Sequence, residues 1–165
     1  MSIKILITGG TFDKVYNELK GTLTFRETHI REMLKLGRVN APVDVEKVEM
    51  IDSLDMTLKD RVKIFEYCRK SKEKQIVITH GTDTMVQTAI LLGKEMKKLR
   101  GKTIVLTGAI IPYAFGSSDG LFNLGCAMGF VQAMPSGVYI AMNGKCFTWQ
   151  NVRKNKRRGV FEEKR

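Results

Sequence analysis

Apolar residues along this chain gather in short runs that alternate with segments of helical spacing. Ile3-Lys4-Ile5-Leu6-Ile7 is the first run, of a length that suits a buried strand. Val43, Val45 and Val48 mark a second strand over Asp44 to Met50. Ile76 to Thr79, Thr103 to Thr107 and Val138 to Met142 are the third, fourth and fifth. Thr28 to Leu36 predicts a helix stopped by Gly37. Thr57 opens another, and Asp60 three residues later fits a capping box. Leu58, Val62, Phe65 and Cys68 or Arg69 are its expected apolar stripe. Met85, Ala89, Leu92 and Met96 recur at spacings of four, three and four, a stripe that packs on a core. Asp119 to Val131 is the last helix, and Phe12 to Phe25 reads as a loop or small hairpin.

Strands alternating with helices point to parallel βαβ units. The expected fold is α/β: a three-layer α/β/α sandwich around a mainly parallel, flavodoxin- or Rossmann-like sheet. The expected strand order is second, first, third, fourth, fifth. That order reverses direction between the first and third strands and opens a crevice at their carboxyl ends. Both of those strands end in glycine followed by threonine: Thr8-Gly9-Gly10-Thr11 and Thr79-His80-Gly81-Thr82-Asp83-Thr84. If the strands are neighbours, two hydroxyls and a carboxylate meet at one place.

Composition narrows the classes. A chain of 165 residues with 43% hydrophobic content suits one soluble domain with a real core. No apolar run approaches the ~20 residues of a membrane span, and the chain begins without a signal-peptide layout. Cys68, Cys126 and Cys146 have neither metal nor disulfide-framework spacing. Together these predict a reduced, cytoplasmic protein with no metal and no cofactor. The net charge is +11, and five of those charges fall in the last thirteen residues, where Arg153, Lys154, Lys156, Arg157, Arg158, Lys164 and Arg165 face Glu162 and Glu163. Residues 155–165 read as a basic tail beyond a domain at 1–154. Such a tail binds nucleic acid in some proteins and is plain solvated surface in more. No aromatic residue but Phe161 interleaves with it.

Each motif also has a plain reading. Gly-Gly-Thr after a strand is commonly a tight turn. Thr82-Asp83 at a helix start is commonly a capping pair. Ser53 can begin a turn, His80 can be a satisfied structural histidine, and Ser118-Asp119 can cap a helix.

Taken together, however, the motifs resemble the bacterial L-asparaginase family. Thr8 to Thr11 and Thr79 to Thr84 match its two signature turns. Asp52-Ser53-Leu54-Asp55-Met56 resembles its substrate-holding Ser-x-Asp-Met segment. Leu106-Thr107-Gly108-Ala109, Ser118-Asp119-Gly120, Asn123-Leu124 and Met142-Asn143 match further stretches. The likeness runs from residue 3 to about 154. It implies an amidohydrolase that releases ammonia from an asparagine-like side chain through a threonine nucleophile. In that likeness Thr11 is the nucleophile on a mobile loop, and Thr82 and Asp83 are a second threonine with its acid. Lys154, eleven residues beyond Asn143, matches the catalytic lysine. Asp52 and Ser53 hold substrate, and the backbone at Gly10 and Gly81 aims amides at a developing oxyanion. A loop tyrosine of the family has no aligned match; Tyr16 lies near enough to serve. The residues after Thr11 depart from the family, where Phe12-Asp13-Lys14 stands in place of small side chains.

The likeness also implies a second, C-terminal domain that this sequence does not contain. Three readings follow. The first is a minimal amidohydrolase acting on a small amino-acid amide, its site completed in a homo-oligomer. The second is a catalytically weak amino-acid-binding domain. The third is an amidase module for a tRNA-linked amide, served by the basic tail.

Overall fold

The computed structural model describes residues 2–164. The chain opens with β1 (Ile3–Gly9), buried throughout. A 3-10 turn at Thr11–Asp13 leads into a hairpin of β2 (Lys14–Asn17) and β3 (Thr22–Phe25). Then come α1 (Ile30–Leu36), β4 (Val43–Ile51), α2 (Leu58–Lys70) and β5 (Gln75–Thr79). They are followed by α3 (Met85–Lys94), β6 (Thr103–Thr107), α4 (Gly120–Ala133) and β7 (Gly137–Met142). The chain finishes with β8 (Lys145–Thr148) and a hairpin of β9 (Arg153–Asn155) and β10 (Val160–Glu162).

The main sheet runs β4-β1-β5-β6-β7-β8. Its first five strands are parallel, as the sequence pattern predicts and in the predicted order. Helices cover both faces, so strand residues are apolar on both sides. Leu6, Ile78 and Leu106 pack against Ile64 of α2 and Met85 and Leu92 of α3. On the opposite face Ile5, Val77 and Val105 pack against Met33 of α1 and Leu124 and Ala127 of α4. Lys4 interrupts the apolar run of β1. It is tolerated because Asp44 at 2.6 Å and Glu46 at 2.5 Å on β4 neutralise its ammonium.

The structure corrects the sequence reading in four places. β8 turns back antiparallel to β7, through Asn143 and Gly144, which both have positive φ, 55° and 75°. Asn-Gly between apolar runs is the usual signal of such a turn. The capping box on α2 is present, with the Thr57 N–H 2.7 Å from Asp60. The helix nevertheless buries Arg61, Ile64, Phe65 and Cys68, leaving Leu58 68% and Val62 44% exposed. Arg61 takes the inward place because its guanidinium donates to the carbonyls of Met56 (2.6 Å) and Thr57 (3.0 Å) and to Gln87 (3.1 Å). These bonds offset part of the cost of burying the charge; the Nε is buried without a partner, and burial holds the guanidinium below its usual range. α1 starts at Ile30 rather than Thr28, whose hydroxyl is committed to Asp13.

The fourth correction concerns the basic tail. Residues 155–162 are folded, not a free extension of a domain ending at 154. β9 and β10 pair with Phe161 opposite Lys154, and Phe161 is buried in the core on the α2–α3 side. Arg165 lies outside the described residues. Cys68 is a core residue whose thiol burial pushes up to about 12, consistent with a structural role. Among the described residues no helix is long and apolar enough to cross a membrane.

Candidate active site

The carboxyl tips of β1, β4 and β5 come together so tightly that no side chain fits between them. Gly9 and Gly10 both have positive φ, 91° and 80°. A Cβ on Gly10 would stand 2.4 Å from the Gly81 backbone, and one on Gly81 would stand 2.5 Å from Ser53 Cβ and Oγ. The Gly10 N–H donates to Ile51 O at 3.1 Å, and the register between β1 and β4 shifts between Ile7 and Gly9. The Thr8 hydroxyl bonds Thr79 O at 2.8 Å, joining the tips of β1 and β5. Thr84 donates to Ser53 O at 2.7 Å, joining the turn after β5 to the loop after β4. Thr11 and Thr82 are the residues directly after the two touching glycines.

Lys154 reaches this point from the β9–β10 hairpin. Its Nζ donates to Thr82 Oγ1 at 2.7 Å and to Asp83 Oδ1 at 2.8 Å. Thr82 is buried; Lys154 is largely covered, and Asp83 is the more open partner. Gly108 backs the Thr82 methyl, since a Cβ there would lie 3.2 Å from Thr82 Cγ2.

His80, beneath this turn, is fully buried. Its Nδ1 lies 2.8 Å from Gly81 O and its Nε2 lies 2.8 Å from Thr88 Oγ1. A carbonyl only accepts, so Nδ1 carries the proton and Nε2 accepts from the Thr88 hydroxyl. Burial lowers the imidazole from 6.5 to about 4, against the raising effect of the Gly81 carbonyl. A neutral His80 thus holds the peptide that precedes Thr82.

Two candidates take different places. Tyr16 stands on the β2–β3 hairpin opposite Leu23, 55% exposed. Asp52 is committed to an ion pair with Lys14. The Lys14 bond, together with the Leu54 N–H, holds its carboxyl below the ordinary range. Ser53 is packed under Gly81. A cleft of about 680 Å³ lies at the opposite end of the sheet, lined by Lys4, Asp44, Glu46 and the end of α2. It brings together paired charges rather than a hydroxyl with an acid and an amine. Among the described residues no three His, Cys, Asp or Glu side chains gather as metal ligands.

The model of the family "Asparaginase, N-terminal" matches residues 2–161. The chain belongs to the asparaginase family. A glutaminase-asparaginase of Acinetobacter glutaminasificans is 26% identical over 165 residues, spanning 93% of this chain and 49% of that protein. A glutamyl-tRNA(Gln) amidotransferase component from Saccharolobus islandicus is 34% identical over 142 residues, 82% of this chain and 31% of that protein. The thermostable L-asparaginase from Thermococcus kodakarensis superposes with a TM-score of 0.84 at 26% identity, over 99% of this chain and 51% of that one. The chain therefore spans about half the length of the L-asparaginase it superposes on.

Sequence reasoning did not single out Thr84, Gly108 or the tautomer of His80. Thr84 closes the second signature turn, and only the fold shows that its hydroxyl crosses to the Ser53 loop.

Proposed function

We propose that this asparaginase-family domain hydrolyses the side-chain amide of a small amino acid of the asparagine type and releases ammonia. The observation that carries this reading is Lys154, which bridges the Thr82 hydroxyl and the Asp83 carboxylate beside the Gly10–Gly81 contact. Thr11 Oγ1 adds to the amide carbon. Its proton passes by way of Thr82 and Lys154 to the amide nitrogen, the C–N bond breaks, and ammonia leaves behind a threonyl ester. Water then adds, the ester C–O bond breaks, the carboxylate departs and Thr11 regains its proton. The partly open Asp83 suits a substrate ammonium, while amides at the start of α3 suit its α-carboxylate.

Self-association is part of the proposal. Leu19, Leu23, Leu54, Leu58, Phe115 and Phe122 are exposed on segments that leave the carboxyl ends of the strands. An apolar border around a site is the usual mark of an interface, here with a second copy. Sedimentation at micromolar concentration tests it, a monomer counting against it.

The test of the chemistry is ammonia release from asparagine, glutamine and related amides by wild type, Thr11→Ala and Thr82→Ala. Activity in wild type and its loss in both variants is the expected result. Ligand-induced thermal shift without any ammonia would favour an amino-acid-binding domain instead. The match to the glutamyl-tRNA(Gln) amidotransferase component, together with exposed Lys156, Arg157 and Arg158 in the β9–β10 turn, favours a tRNA-linked amide as the second substrate class. Salt-sensitive tRNA retention that falls when these three become Gln would support it.

A further inference from the structure

We infer that Asp13 and Lys14 are positioning residues that clamp the Thr11 turn at two points, so that the nucleophile is held in place before substrate arrives. This rests on the reading of Thr11 as nucleophile. Family likeness implies a mobile loop here, yet the residues that replace its small side chains each make a long-range tie. The turn is already short and pinned: the Asp13 N–H returns to Gly10 O at 3.2 Å, and Phe12 is fully buried against the α4 side of the core.

Asp13 points inward. It is fully buried, and its Oδ1 accepts the Thr28 hydroxyl at 2.7 Å. The Thr28 hydroxyl in turn accepts the Ile30 N–H at 3.3 Å, so the tie ends on the first turn of α1. The other carboxylate oxygen, Oδ2, is buried without a partner. Leaving that oxygen unpaired costs free energy. Burial, opposed by the Thr28 bond, also holds its carboxyl above the ordinary range.

Lys14 points the other way. Its ammonium pairs with Asp52 and sits 5.7 Å from the centre of the Phe25 ring. Both partners of the pair are largely covered, so water screens it less than a surface pair. Asp52 directly precedes Ser53, which packs under Gly81. The same bond thus joins the Thr11 turn to the loop that flanks Thr82. Two ties in opposite directions remove the turn's freedom to swing, and pre-paid ordering of this kind speeds the chemical step rather than binding.

Hydrogen exchange of the amides of residues 11–14 and steady-state ammonia release decide this, in wild type, Asp13→Asn, Lys14→Met and Lys14→Arg. Expected is exchange at these amides about tenfold faster in Asp13→Asn and Lys14→Met, with β5 and β6 unchanged, the pattern of a local opening. kcat falls about tenfold or more while KM holds within about threefold, as expected when only transition-state positioning is lost. Lys14→Arg keeps protection and rate. Unchanged exchange in both disrupted variants overturns the clamp, as does a loss confined to KM. If Asp13→Asn fails to fold, the two Lys14 variants decide alone. Wild type that releases no ammonia overturns the hydrolase reading and with it the positioning role, while the exchange data still show whether the turn is tied.

Discussion

At the scale of single residues, the proposed site rests on one amine, that of Lys154, and on the side chains that Gly10 and Gly81 lack. Lys154 carries the only observed link between the Thr82 hydroxyl and the Asp83 carboxylate among the described residues. Lys154→Met keeps the stem and removes the amine. Loss of a positioned proton-transfer group costs ~10²–10⁴-fold, so ammonia release should fall by that factor with an unchanged far-UV spectrum. A rate within about threefold of wild type takes Lys154 out of the chemistry. Gly10 works by absence. Its φ is 80°, and an added Cβ meets backbone at 2.4 Å, which cannot turn aside as a flexible side chain can. Gly10→Ala should therefore cost upwards of ~3 kcal/mol, the range of backbone-strain substitutions, measured by urea unfolding. A cost under about 1 kcal/mol would mean that the strand tips can part.

Among the elements, the β9–β10 hairpin is the one on which the site most depends. It delivers Lys154, and it is itself held by Phe161, which is 3% exposed in the core. Phe161→Ala should lower stability by ~3–5 kcal/mol, as for other buried phenylalanines, and should cut ammonia release in the fraction that stays folded. Glu162→Gln breaks an outer pair with Arg153 (2.7 Å) and should cost under ~1 kcal/mol. Equal unfolding midpoints for Phe161→Ala and wild type would show that the hairpin is not anchored through this ring.

The five parallel strands were legible in sequence because apolar runs on both faces of a sheet announce themselves locally. So were the two turns at their tips, whose glycines and threonines stand together in the chain. The hairpin was not, because β9 and β10 are three residues each and dense in charge. The face of α2 was misread because Arg61 is inward only by virtue of carbonyls and Gln87, groups no local pattern displays. The tie from Lys154 to Thr82 spans 72 residues, and its expected position came from likeness to a family rather than from periodicity. The ties of Asp13 and Lys14 had no sequence signal beyond their departure from small side chains.

For the whole molecule, a buried histidine that resists taking a proton adds to the loss of stability in acid. The hydrogen-bonded carboxyls Asp44, Asp52, Asp60, Glu66, Glu73 and Glu162 also bring that loss, since all six are held below the ordinary range. His80 is fully buried, and charging it costs desolvation and its acceptor bond from Thr88. Its folded value is about 4 against 6.5 in the exposed state. Between those values the unfolded chain binds the proton and the native one does not, so native stability rises with pH across that window. The contribution is complete above about pH 6.5 and is lost progressively as pH falls toward 4, amounting to about 3 kcal/mol. Asp13 and Glu49 oppose it. Burial raises both carboxyls, so the native state holds their protons at pH values where the unfolded chain has released them. Their effect is to recover stability as pH falls through the acid range. Urea midpoints at pH 7 and pH 5 for wild type and His80→Asn isolate the histidine from the carboxyls, which both proteins share. Wild type should lose about 2 kcal/mol more than the variant over that interval, from the same linkage. Equal losses in the two proteins would mean that His80 takes up its proton without disturbing the turn before Thr82, and the neutral imidazole could no longer be what holds the Gly81 carbonyl in place.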